Sequence, residues 1–159
     1  MALAAGIASF AAELEAIEKV GYTTVGQGAD AFASAFANFF GYATLTAIPI
    51  VPGTNIIPTT VAACTGPLIP AFTIPNTPAG SSLGMQAAFL AYINAGLPTM
   101  WPGIATGASP TGPTLDTYLV PIMVAGASSP KVKLATKITE WITTGAQIAL
   151  SAGGTAFIV

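Results

Sequence analysis

The residues able to do chemistry are few and far apart in this sequence. The chain has 159 residues, no histidine, no arginine, four lysines, six carboxylates and one cysteine. Cys64 is a candidate thiolate nucleophile only if a neighbouring base or cation lowers its pKa. No His exists and the nearest lysine in sequence is 45 residues away, so Cys64 reads as a buried small hydrophobe. Being single, it forms no intramolecular disulfide. Paired-carboxylate catalysis would have to draw on Asp30, Asp116, Glu140 and the group Glu13, Glu15 and Glu18. The last three fall on what reads as the solvated face of a helix. Metal sites need clustered His, Cys or carboxylate ligands, and the spacing offers none. The run GQGAD, residues 26–30, places glycines before a helix start but lacks the full dinucleotide fingerprint and the P-loop lysine. Serine catalysis lacks a His partner, since the sequence has no histidine. The reading is therefore not an enzyme, with no catalytic, metal or cofactor-binding residues and no cofactor.

Composition points the same way. Charged residues make up 6% of the chain, against about 25% in an average soluble protein. Apolar residues make up 53%, too many for a disordered chain. From Ala31 to Leu115 there is no Asp, Glu, Lys or Arg. Such a surface needs cover from Thr, Ser, Asn, Gly and Pro, or from another protein. The lysines, at 19, 131, 133 and 137, are too few for a nucleic-acid-binding patch. No secretory signal is read at the start, because Glu13, Glu15 and Glu18 follow the small apolar residues at once with no basic region before them. The run 31–53 meets the length of a transmembrane helix. It is interrupted by Ser34, Asn38, Gly41, Thr44, Thr46 and Pro49 and lacks flanking cations, so a membrane partner is not expected.

The elements that would position these residues are mostly helical. Leu3, Ile7, Phe10, Leu14 and Ile17 are spaced 4, 3, 4, 3 and predict an amphipathic helix over 1–20, stopped at Gly21. That seam packs either on its own domain or on a neighbouring copy. A second helix is predicted over 31–42, capped by Asp30, with Phe32, Phe36, Phe39 and Phe40 on one stripe. Prolines at 49, 52, 58, 67, 70, 75 and 78 predict an extended segment over 43–80, pinned by its apolar side chains. A third helix is expected over 82–96, capped by Ser81 or Ser82 and closed by Gly96 and Pro98. A loop with Trp101 as anchor follows, then a short helix from Leu115 to Met123, kinked at Pro121. The best local helix signal covers 129–145, with Ser129 as cap, Pro130 at the first position and Gly145 at the stop. Residues 147–159 predict a strand, or a hairpin turned by Gly153–Gly154. A strand ending in Phe157–Ile158–Val159 would be an adhesive edge in a free monomer and invites pairing with another chain. The fold class is mainly α with minor β: one small helical domain with long Pro/Gly-rich extended loops and a C-terminal strand or hairpin.

One resemblance goes with this texture. The chain is rich in Ala, Gly, Thr and Pro and free of His and Arg, and ASSPKVKLATKITEWITTG runs directly into AQIALSAGGTAFIV. In these respects it resembles small structural proteins of tailed bacteriophage virions, above all the end of small tail or baseplate components. The resemblance covers about the last 35 residues and lies in texture and a helix-to-strand order. It implies a virion part assembled in the host cytoplasm in several copies, with other virion proteins and copies of itself as partners. A capsid cement or decoration protein is an alternative, and a membrane-inserted or pore-forming protein another. The interface residues expected are Leu3, Ile7, Phe10, Leu68, Ile69, Phe72, Ile74, Trp101, Phe157, Ile158 and Val159.

Overall fold

The computed structural model describes residues 2–124 and 130–159. It is 65% helix and 12% strand, so the chain is mainly α with minor β. A 3-10 turn, Leu3–Gly6, leads into α1 (Ile7–Val20), which Gly21 ends in the left-handed conformation at φ 64°. Helix α2 (Val25–Phe40) starts six residues earlier than predicted. Thr24, with extended backbone, caps it by accepting from the Gln27 amide at 3.2 Å. Asp30, the expected cap, lies inside the helix and accepts from the Thr65 hydroxyl at 3.2 Å instead.

The expectation of an extended segment over 43–80 is corrected. Only its first part is irregular: a two-residue hairpin of β1 (Thr44–Leu45) and β2 (Ile48–Pro49), then a 3-10 turn, Thr54–Ile56. Residues Pro58–Phe72 form helix α3. Pro58 occupies the first turn, where no N–H is needed. Pro67 and Pro70 lie inside and leave the carbonyls of Ala63 and Gly66 without their intrahelical donors. An interior proline costs about 3 kcal/mol. Burial of Cys64, Leu68 and Ala71 along one side offsets that cost. Helix α4 (Pro78–Met100) packs closely against α3, with Gly84 over Ala71. A Cβ on Gly84 would stand 2.5 Å from the Ala71 Cβ, so the close approach requires glycine. The α4 cap is Thr77, accepting from Gly80 N at 3.0 Å, not Ser81 or Ser82. Their hydroxyls donate to the carbonyls of Ala71 and Pro78.

After β3 (Ala105–Pro110) come α5 (Leu115–Val124), with Pro121 inside it, and α6 (Lys131–Gly145). Pro130 sits at the cap position of α6; Ser129, the expected cap, lies outside the described residues. Gly145 closes α6 for a packing reason, since a Cβ there would stand 2.6 Å from Trp141 Nε1. Strands β4 (Ala146–Leu150) and β5 (Thr155–Phe157) form the Gly-Gly hairpin, with Gly153 and Gly154 both at positive φ. The order β3-β4-β5 is antiparallel throughout.

The terminal strand is not an open edge. Thr44 and Val159 exchange backbone hydrogen bonds at 2.7 and 2.9 Å, and Leu45 bridges Ile158. The two sheets thereby join edge to edge, with the β5 segment between β4 and β1. Each outer strand takes a side-chain hydrogen bond on its open edge. Asn94 on α4 donates to Ala108 O at 3.0 Å and accepts from Ala108 N at 2.8 Å, as a neighbouring strand would. On the other side, Pro49 has no N–H to offer, and Trp101 Nε1 donates to Ile48 O at 2.9 Å.

The core is an aromatic seam centred on Phe36. Its ring stacks on Phe89 at 4.2 Å between centroids and meets Tyr92 edge-on at 5.2 Å. Phe10 of α1 stacks on Phe39 at 4.7 Å, and Phe40 reaches Tyr92 and Trp101. The irregular segment is pinned to this seam. Asn55 donates to Ala37 O at 2.8 Å and Tyr92 donates to Asn55 O at 2.7 Å, both buried. The total accessible surface is 7190 Å². A monomeric protein of 15.8 kDa exposes about 7,300 Å², so the chain buries its surface as fully as a free-standing domain does.

Truncating Phe36 removes contacts with α1, α2 and α4 together. Phe36→Ala is expected to lower unfolding free energy by about 3–5 kcal/mol, and half-buried Phe72→Ala by clearly less. Denaturant titration of both variants checks this order, and equal costs would contradict a core centred on Phe36.

Candidate interaction surface

Charge is segregated on this fold. Eight of the ten ionisable Asp, Glu and Lys side chains lie on α1 and α6: Glu13, Glu15, Glu18 and Lys19 on the first, Lys131, Lys133, Lys137 and Glu140 on the second. The two helices pack side by side, and Lys131 pairs with Glu18 at 3.2 Å. Lys137 pairs with Glu140 on its own helix at 2.6 Å, and Glu13 accepts from Asn38 at 3.0 Å. Asp30 is turned to Thr65, and Asp116 is joined to Thr114 in the loop before α5.

Much of the remaining surface comes from the uncharged run 31–115. Several large apolar side chains protrude from it, among them Ile56, Ile69, Ile74 and Leu83. Ile74 is the extreme case at 89% exposed, in the turn between α3 and α4. A groove of about 520 Å³ lies beside that turn, lined by residues 71–76, Ser81 and Met123.

The expected interface residues divide cleanly on this geometry. Ile69, Ile74, Phe157 and Val159 are exposed, while Ile7 and Phe72 are partly buried against the core. Leu3, Phe10, Leu68, Trp101 and Ile158 are fully buried within the chain, which corrects their assignment as contact residues. The α1 seam is covered by α2 and α6 of the same molecule. Trp101 does anchor its loop, through the bond to Ile48, and Ile158 is enclosed by its pairing with Leu45.

Two buried titratable groups are shifted by their burial. Cys64 is enclosed, and burial pushes its thiol up to about 12. Tyr92 is likewise pushed up, by burial first and by Cys64 second. Trp141 Nε1 finds no acceptor among the described residues, an omission that costs about 1–3 kcal/mol against the burial of its ring. Among the described residues no group of three or more His, Cys, Asp or Glu side chains could hold a metal ion.

Among the described residues no helix is long and apolar enough to cross a membrane. The apolar run 31–53 is broken after Phe40 into a turn and the β1–β2 hairpin. Comparisons with family models, with curated proteins and with solved structures gave no match in any of the three.

At pH 8 a thiol with this pKa is thiolate in only about one molecule in ten thousand. Cys64 is expected to resist a thiol-labelling reagent in native buffer and to react within minutes in denaturant. Native labelling at the rate of a free thiol would contradict the burial described.

Proposed function

We propose that this chain is a non-enzymatic structural subunit of a tailed-phage virion, packing between neighbouring subunits in the tail or baseplate region. The observation that carries the reading is the uncharged outer surface of residues 31–115, from which Ile69, Ile74 and Leu83 project. Apolar groups of that size gain about 1.5–3 kcal/mol each when fully removed from water. A neighbouring subunit would supply that burial without stripping solvent from any charge, since this surface has almost none. The sequence texture from Ala127 on supports the virion setting, and the rigid packing of the α3–α4 pair suits a part that docks as a preformed block.

Replacing Ile69 and Ile74 with lysine tests this reading. Both side chains are exposed, so thermal stability is expected to stay close to that of the parent. Incorporation into particles, measured by co-sedimentation and mass spectrometry, is expected to drop at least tenfold. Full incorporation of the double variant, or absence of the parent protein from intact particles, would overturn the proposal.

A further inference from the structure

We infer that a second copy of this chain docks on the face formed by α1 and α6, with the acidic helix of each copy lying over the basic helix of the other. The proposal rests on the assembly reading above and names one contact within it. Four observations lead there. Helix α1 carries three carboxylates and one lysine, whereas α6 carries three lysines and one carboxylate. The helices run antiparallel: the end of α1 meets the start of α6 through Glu18 and Lys131, and the Leu3–Gly6 turn touches α6 as well. The acidic half of α1 therefore stands level with the basic half of α6. The two side chains that lead this proposal, Glu15 and Lys133, are exposed and have no ion-pair partner among the described residues. Apolar surface accompanies them, with Val20 at 61% and Val132 at 50% exposure. An apolar crevice of about 180 Å³ also opens between the helices, lined by Leu14, Ile17, Phe32 and Leu134 and flanked by the Glu18–Lys131 pair.

A two-fold axis parallel to these helices lays α1 over α6 of the second copy and keeps the charged halves level. Each contact then occurs twice, as closed two-fold symmetry requires. Glu15 of one copy faces Lys133 of the other, and Val20 and Val132 leave water together. A partner with a uniformly acidic or basic face would meet like charge on one of the two helices. A copy of this chain meets opposite charge on both.

Sedimentation equilibrium on the full chain, at low and high salt, tests the proposal. The parent is expected to form dimers that weaken as salt rises, because the contacts are between exposed charges. Glu15→Lys alone and Lys133→Glu alone are each expected to raise the dimer Kd about tenfold or more. The double variant restores the pairing in reverse and is expected to recover most of the affinity, a rescue that misfolding cannot produce. A parent chain that stays monomeric to roughly millimolar concentration would overturn the proposal. So would a dimer indifferent to both single reversals, which would place self-association on the uncharged surface. Neither outcome bears on the Ile69 and Ile74 test, since those side chains lie on α3 and the turn after it.

Discussion

The stack of Phe36 on Phe89 is the contact on which the remainder of this structure depends. A chain with so few ionisable groups draws little from ion pairs: two occur among the described residues, and exposed pairs contribute about 0–1 kcal/mol each. Cohesion therefore falls to the rings. Phe36 holds α4 through Phe89 and Tyr92, and α1 through Phe10. Phe89 reaches Trp141 on α6, and Phe40 reaches Trp101 at the start of the sheet region. Aromatic pairs in offset or edge-on geometry add about 0.5–1.5 kcal/mol beyond their area, and here they form one connected set.

The second constraint is backbone polarity. A proline-rich chain has fewer donors, so each remaining carbonyl and strand edge needs a specific answer. Three of the side chains that give it are Asn55 to Ala37, Trp101 to Ile48, and Asn94 to both polar groups of Ala108. With Val159 paired to Thr44, the terminal strand is closed to a strand from elsewhere. Any association between copies would then be a matter of side-chain surfaces meeting, not of one chain completing the fold of another. That distinction shapes both proposals: the contacts named are Ile69 and Ile74 on one surface and Glu15 and Lys133 on another.

Much of the helical architecture was legible in the sequence, because periodicity and stop signals report local structure. The α1 seam, the Phe stripe of α2, α5 with its Pro121 and the Gly-Gly hairpin all appear where their patterns put them. Helix α3 was not legible, because Pro67 and Pro70 argue locally against a helix while the burial of Cys64, Leu68 and Ala71 that favours it is tertiary. Gly26 and Gly28 mask the early start of α2, and Asp30 competes with Thr24 as a cap signal in the sequence. Of the expected contact residues, Leu3, Phe10, Leu68, Trp101 and Ile158 failed for one reason: a sequence shows that a side chain is apolar, not which surface covers it. The charge segregation shows the same limit. The acidic stretch 13–18 and the basic stretch 131–137 are plain to read, but their adjacency exists only once α1 and α6 pack.

Whether this fold closes on itself, before any partner arrives, is best measured by native-state amide hydrogen exchange on dilute protein. The account predicts that the Thr44 and Val159 amides exchange as slowly as those in the middle of α2 and α4, reporting one cooperative unit. Rapid exchange of Thr44 and Val159 in dilute solution, with protection appearing only on assembly, would contradict it.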